Sequence, residues 1–466
     1  MLTSKNQYTY LRRELATNVL RLHREGALET EIDKVPVSMI PRDHDHSRCC
    51  VYKDRAMIRS RLLSLMGVAL EEDDEYTPLS SYAHKALKQE VTPFPILTII
   101  KEGCSSCTKS RYQVTELCRG CLARPCKTNC PKDAISFMNN RAVIDEEKCV
   151  NCGKCMQVCP FSAINYLPVP CEDACPVNAI SKDDYGQVHI DWDACIDCGK
   201  CSRACPFGAI VERSQILQVA QRLLSDRSIT ALVAPSVDGQ FPGSLKQILS
   251  GIRKIGFTHV IEVAEGAQIT VEQEAQELLD RRGEGVFMTT SCCSAYVSCV
   301  EKHLPDLNDR ISHTRSPMSF CAEQAKLEDP ETFTVFLGPC IAKKQEGAID
   351  PYVDAVLTFE ELAAFFVAAD IDTQEEPEDD TRLQGLPRVF AVSSGVSTSI
   401  KSRLSEHEDI IYEQIDGIDR KRIRLMKSWK KRPPAADLVE VMCCESGCIG
   451  GPGCIADPRL TRRRFS

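Results

Sequence analysis

No run of about 18 uninterrupted apolar residues occurs in this 466-residue chain, so no membrane-spanning helix is expected. The opening residues, Met-Leu-Thr-Ser-Lys-Asn-Gln-Tyr, lack an apolar core and a twin-arginine pair ahead of one, so no export signal is expected. Cytoplasmic residence is the simplest expectation. Positive charge is also short: 57 Lys and Arg face 66 Asp and Glu, a net charge of −9, which argues against nucleic acid as a partner. No Gly-rich dinucleotide fingerprint or flavin signature is present, so direct use of a nicotinamide is not expected. Cysteine, by contrast, is abundant, with 27 residues. Secreted disulfide scaffolds are short chains, and C-x2-C spacings in a long chain point to metal instead. Zinc sites separate their cysteine pairs by longer loops than those found here.

Four copies of C-x3-C-P-x2-A-I run through the middle of the chain, opening at Cys126, Cys155, Cys171 and Cys201. Complete C-x2-C-x2-C-x3-C-P runs span Cys149 to Cys159 and Cys195 to Cys205. The phrase is the closing half of a bacterial ferredoxin motif, so two tandem α+β ferredoxin-like modules are expected. From Cys104 to Cys205 there are 16 cysteines, enough for four 4Fe–4S clusters. In two-cluster ferredoxins the fourth cysteine of a run serves the other cluster. That rule groups Cys149, Cys152 and Cys155 with Cys130, and Cys118, Cys121 and Cys126 with Cys159. It also groups Cys195, Cys198 and Cys201 with Cys175. Cys104, Cys107, Cys171 and Cys205 remain as the fourth set, which draws on a distant pair. The spacing from Cys118 to Cys130 resembles the polyferredoxin subunits of multi-subunit oxidoreductases.

Three regions follow. Residues 1–95 are polar, with helices expected around Tyr10 to Leu22 and Ala56 to Leu70. Cys49 and Cys50, after His44 and His46, lack a second C-x2-C pair and read as structural or partner-docking. Residues 96–213 are the cluster block. Residues 214–466 alternate strands and helices, an α/β pattern with parallel sheets. Strands are expected at Ile229 to Ala234, Val260 to Val263, Val286 to Met288, Thr334 to Leu337 and Arg388 to Val392. A helix is expected over Ile269 to Arg282, and Thr373 to Arg382 reads as a surface loop.

The cysteines of this last region sit at strand ends or in Gly-rich turns. Thr290-Ser291-Cys292-Cys293 follows one strand, and Pro339-Cys340-Ile341-Ala342-Lys343-Lys344-Gln345-Glu346 follows another. The third segment is Glu440-Val441-Met442-Cys443-Cys444-Glu445-Ser446-Gly447-Cys448-Ile449-Gly450-Gly451. Sites in α/β folds lie beyond the carboxyl ends of strands, so three loops could converge on one cofactor. The three segments resemble the active-site motifs of FeFe hydrogenases, most of all those of the group B branch.

That resemblance implies two lobes of parallel sheet and reversible reduction of protons to hydrogen at an H-cluster. The H-cluster is a 4Fe–4S cubane joined to a di-iron unit bearing CO, cyanide and a dithiolate amine. It implies that Cys293, Cys340, Cys444 and Cys448 hold the cubane, with Cys448 bridging to the di-iron unit. Cys292 would pass protons, Lys343 would donate to a cyanide ligand, and Met442 would pack near the bridging CO. It also implies a proton relay through Glu274, Ser312, Glu277 and Arg281. Periodicity alone reads Glu274, Glu277 and Arg281 as one helical face, equally consistent with a solvated charged surface. Ser294, Gly338, Met318, Cys443, Pro452 and Cys454 depart from the usual family pattern. The resemblance further implies a soluble ferredoxin as electron partner and maturation proteins that deliver the di-iron unit. A sensory hydrogenase and a non-catalytic iron–sulfur scaffold are the alternatives.

Overall fold

The computed structural model describes residues 7–43, 48–88, 94–104, 107, 111–183, 186–379 and 387–465. None of its described helices is long and apolar enough to cross a membrane.

Two parallel sheets organise the C-terminal region. The larger has the strand order His259–Glu262, Ile229–Val233, Phe333–Gly338, Ala355–Thr358. The smaller has the order Met288–Thr289, Leu438–Met442, Tyr412–Asp416. Ile229–Val233, Phe333–Gly338 and Leu438–Met442 are buried along their whole lengths. Continuous apolar runs of this kind suit strands covered on both faces. Helix Ala264–Gly283 is longer than the periodicity suggests, starting immediately beyond the strand His259–Glu262.

Two local expectations are corrected, and a third holds. Arg388–Ala391 is a 3-10 turn, not a strand. Its apolar residues pack beneath helix Gly395–Arg403, and a Cβ on Gly395 would stand 1.6 Å from the Val389 carbonyl oxygen, so the chain turns instead of extending. The strand expected over Val286 to Met288 is only Met288–Thr289, because Thr290 onward must serve the site loop. The segment from Thr373 is a surface loop over its described part, with Gln374, Glu375, Pro377 and Glu378 exposed, and two of its residues tie it down. Thr373 and Glu376 are buried, Thr373 donates to the Pro242 carbonyl at 2.7 Å, and Lys254 pairs with Glu376 at 2.5 Å. Residues 380–382 lie outside the described set.

The N-terminal helices share the core of the larger sheet. Helix Gln7–Arg24 buries Leu15, Ala16, Val19 and Leu20 in one cluster with Leu232, Leu337, Leu357 and Leu362. Arg13 pairs with Glu360 at 2.8 Å, both largely buried, and Arg12 pairs with the buried Glu212. These long-range ion pairs fix how the helix seats on the sheet. Cys49 and Cys50 precede helix Val51–Leu65 with their sulfurs 3.8 Å apart. His44 and His46 lie outside the described residues.

The ferredoxin-like modules are nested. Strand Leu97–Ile99 pairs antiparallel with Ile210–Glu212, closing an outer module around the hairpin Ile180–Lys182/Val188–Ile190. Within it, Arg111–Val114 pairs antiparallel with Ile164–Leu167, closing an inner module around the hairpin Ile135–Met138/Arg141–Ile144. The two have the same topology and separate cores. The inner module is therefore an insertion between Cys107 and Cys171, which explains why the fourth cysteine set draws on a distant pair.

Candidate active site and its cluster relay

Each copy of C-x3-C-P-x2-A-I folds the same way. The residue before Ala has positive φ: Asp133, Ser162, Asn178 and Gly208. That turn aims the Ala amide back at the preceding cysteine. Ala134, Ala163, Ala179 and Ala209 donate to the sulfurs of Cys130, Cys159, Cys175 and Cys205 at 3.3 to 3.4 Å. The following Ile is buried in every copy and starts a strand. The repeat thus encodes a sulfur held by a backbone donor and anchored by one apolar residue.

The thiols group around distinct cavities. Cys130, Cys149, Cys152 and Cys155 line one of ≈ 350 Å³. Cys104, Cys107, Cys171 and Cys205 line another of ≈ 300 Å³. Cys126 lies near Cys121 and Cys159, and Cys201 lies near Cys198, Cys195 and Cys175. Cys118 sits in the same loop as Cys121, its pKa lowered by the Ala142 amide. Among the described residues no three His, Cys, Asp or Glu side chains close on a single metal ion. The thiols surround spaces instead.

A third cavity, of ≈ 880 Å³, lies between the two sheets. Cys292 and Cys293 reach it beyond Met288–Thr289, Cys340 beyond Phe333–Gly338, and Cys443 and Cys444 beyond Leu438–Met442. Cys448 enters from the short 3-10 turn Gly447–Gly450. Gly447 has φ +77°, and a Cβ there would meet the Ser393 amide nitrogen at 2.6 Å, so this turn requires glycine. The remaining wall is largely apolar, including Pro235, Met318, Phe336, Phe390 and Met442. Gly338 leaves its side-chain space to the Phe336 ring, 2.3 Å from where a Cβ would stand.

Burial dominates the electrostatics. It pushes the thiols of Cys293 and Cys448 up, Cys340 to about 12, and Cys444 well above the usual range. Thiolates in such surroundings need compensating positive charge, which a bound iron cluster brings. The soft sulfur donors suit iron–sulfur clusters. The cavity therefore fits a cofactor larger than a single cubane: it has more than twice the volume of either cluster cavity above.

Lys343 lines this cavity, and its ammonium pairs with Glu346 at 2.6 Å. Burial alone lowers the lysine pKa, but the Glu346 charge overrides it and leaves it raised. Glu346 also accepts from the hydroxyls of Ser294 and Ser316. The unusual Ser294 thus helps hold the carboxylate that orients Lys343. Glu346 ends the Pro339-to-Glu346 motif and Ser294 stands out as a departure from the family pattern, but nothing local pointed to Ser316 or to the pairing of both serines with Glu346.

Beside Cys292 the relay candidates assemble. Glu274 is fully buried and accepts from the Ser291 amide at 3.2 Å, with the Ser291 hydroxyl also 3.2 Å away. Its second oxygen has no hydrogen-bond partner. Burial raises its pKa to about 7. Burial raises the Cys292 thiol well above its usual value, with Glu274 adding to the shift. Ser312 donates to Glu277 at 2.6 Å and also lies within reach of Glu274. Arg281 donates to Glu277 at 2.6 Å. His313, missed in sequence, places its ring 3.2 Å from Glu277, with 83% of its side chain exposed. The charged helical face is therefore not solvated: it runs inward from His313 at the surface.

The outer module abuts this site. Cys198 lines the same cavity, and its thiol interacts directly with that of Cys443. Lys200 donates to the Ile418 carbonyl at 2.6 Å, and Arg420 donates to the Glu172 carbonyl at 2.6 Å.

Residues 227–452 match the family described as iron only hydrogenase large subunit, C-terminal domain. Residues 142–165 and 188–211 match the 4Fe-4S binding domain. Iron hydrogenase 1 of Clostridium pasteurianum is 28% identical over 425 residues, spanning 77% of this chain and 73% of that protein. A cytosolic Fe-S cluster assembly factor of Eremothecium gossypii is 25% identical over 310 residues, 50% of this chain and 69% of that protein. A solved apo FeFe-hydrogenase structure from Chlamydomonas reinhardtii has a TM-score of 0.45 at 20% identity, covering 54% of this chain and 87% of that one.

Proposed function

The chain belongs, through residues 227–452, to the iron-only hydrogenase large-subunit family, and from this premise we infer that it interconverts protons, electrons and hydrogen at an H-cluster. Cys293, Cys340, Cys444 and Cys448 would hold the cubane, with Cys448 bridging to the di-iron unit. Met442 would pack against that unit, and Lys343 would donate to one of its anionic ligands. The group, when bound, supplies the open iron site where protons and electrons combine. The chain's own residues exclude water, supply charge and move protons.

Cys292 delivers or accepts the proton at its thiol. Glu274, with a pKa of about 7, can give and take a proton near neutrality. The single Ser312 hydroxyl, within reach of both Glu274 and Glu277, gives its own proton to one carboxylate as it takes a proton from the other, then turns to reset. Arg281 positions Glu277, and His313 opens the path to solvent. The cysteine groups above would hold four 4Fe–4S clusters, which would supply a path for electrons toward Cys198 beside Cys443. A soluble carrier such as ferredoxin supplies or removes them, and maturation proteins install the di-iron unit. Such thiolates call for a reducing compartment such as the cytoplasm.

The observation that carries this reading is the union, in one cavity, of the four thiols of Cys293, Cys340, Cys444 and Cys448 with Cys292 and Lys343, while the buried Glu274 carboxyl lies outside its lining, against Ser291. A bare cubane needs only the four thiols. Infrared spectroscopy of anaerobically matured protein tests it, with sharp CO and cyanide stretching bands as the expected result. The similarity to a cytosolic Fe-S cluster assembly factor favours a second reading, a non-catalytic scaffold. Full cubane occupancy without those bands would decide for it.

A further inference from the structure

The two nested modules carry the same cluster run, but only one has its face covered. In the outer module, Ile196 follows Cys195 and is 1% exposed, packed in one core with Ala295, Tyr296 and Val441 of the catalytic domain. Two positions on, Cys198 opens onto the active-site cavity, and Lys200 reaches the Ile418 carbonyl. This face is the outer module's electron-passing contact.

The inner module repeats the face residue for residue. Val150 stands for Ile196, Cys152 for Cys198, Gly153 for Gly199 and Lys154 for Lys200. Here Val150 is 57% exposed, and Cys152 and Lys154 are exposed. Met156, beside Cys155, is exposed as well. Val150 and Met156 thus leave apolar surface open to water beside Cys152, on the face that the outer module covers.

Charge narrows the occupant. Residues 111–167 hold eight Lys and Arg against five Asp and Glu, within a chain of net charge −9. Glu116, Asp145 and Glu146 are each paired with a cation of the same module. Among the described residues Arg119, Lys127, Lys132 and Lys154 are exposed and make no ion pair.

We propose that the face of the inner module centred on Val150, Cys152 and Lys154 is the docking surface for a small acidic one-electron carrier protein. The inference rests on the electron-relay reading above and deepens it by fixing where the carrier binds. The carrier gives one electron and is oxidised by one, and the cubane beside Cys152 passes from its 2+ to its 1+ state. No proton or bond changes hands. Steering by opposite charge raises the encounter rate, and salt weakens it.

The test is anaerobic stopped-flow reduction of the chain's cubanes by a reduced plant-type ferredoxin, an acidic one-electron donor. It reads cluster absorbance and needs no hydrogen production, so it stands apart from the infrared test of the H-cluster. Lys154→Glu and Val150→Glu are expected to slow the second-order step at least tenfold, and Lys154→Gln to slow it less. Iron content and reduction by dithionite should match the parent. In the parent, raising salt from about 0.05 to 0.5 M should slow the same step. Equal rates for parent and all three variants would overturn the proposal. So would sedimentation showing that the face is covered by a second copy of the chain.

Discussion

Glu274 shows how one buried residue links stability to chemistry. Its carboxyl has a pKa of about 7 in the folded chain against 4.5 ordinarily, with burial as the main cause. Between those values the folded state binds more protons than the unfolded state, so this group's contribution to stability falls as pH rises through that window. The loss reaches on the order of 3 kcal/mol above pH 7. Glu274→Gln is neutral at every pH and removes that loss. The variant's melting temperature should therefore gain on the parent's between pH 5 and pH 8, measured calorimetrically. Hydrogen turnover should fall by about 10²- to 10⁴-fold, as for loss of a proton-transfer group. The infrared bands of the cofactor should persist, which separates a broken relay from a lost site. Glu346 acts differently: its pKa is lowered because Lys343, Ser294 and Ser316 together outweigh its burial. Its carboxylate sits against the Lys343 ammonium at 2.6 Å.

Among the elements, the insertion between Cys107 and Cys171 has the clearest consequence. Its first and last strands, Arg111–Val114 and Ile164–Leu167, lie side by side, so its ends are neighbours in space. Insertions with adjacent ends disturb a host little, and the same geometry makes them removable. Excising residues 109–168 and joining the ends with a short Gly-rich link should leave the outer module intact. Iron should fall by about eight atoms per chain, two cubanes' worth, in a colorimetric assay. Retained Cys104, Cys107, Cys171 and Cys205 should still bind their cluster. Loss of all accessory iron would show instead that the outer module needs the insertion to fold. The helix Gln7–Arg24 is the contrary case. Its residues belong to the core of the larger sheet, so it has no boundary at which to be cut away cleanly.

At the scale of the whole molecule, the inner module's thiols are the more open set: only Cys126 and Cys155 of its eight are buried, against Cys104, Cys171, Cys175, Cys195 and Cys201 of the outer module's eight. Cys152 is exposed and Cys118, Cys121 and Cys149 are partly so, whereas Cys171, Cys175, Cys195 and Cys201 are buried. Access to the thiolate governs oxidation and ligand exchange. Mild ferricyanide with a chelator should therefore strip iron from the inner module first, then from the outer module. Comparing iron-loss kinetics of the intact chain with those of the excised variant checks this: the fast phase should vanish with the insertion. Uniform loss in both proteins would contradict it.

Cysteine spacing, the four repeats and the apolar strands Ile229–Val233, His259–Glu262 and Phe333–Gly338 were legible in the chain because each is local, whereas Ala355–Thr358, Tyr412–Asp416 and Leu438–Met442 were not among the strands expected. A cysteine, its turn and its anchoring Ile lie within ten residues, and a fully buried strand announces itself as an apolar run. Arg388 to Val392 shows the limit of that reasoning: a short apolar run also suits a 3-10 turn when no neighbouring strand is there to pair with. Nesting of the modules, the seating of the N-terminal helices and the convergence of three loops on one cavity depend on contacts between residues far apart in the chain. So do the partners of the relay. Ser316 and His313 carry no pattern of their own, and the motif positions of Ser291 and Ser294 name no partner; folding alone sets them against Glu274, Glu346 and Glu277. Local spacing could group the thiols, but burial and long-range pairing alone decide which carboxyl has its pKa raised, which one sits against a cation, and which thiol group faces solvent.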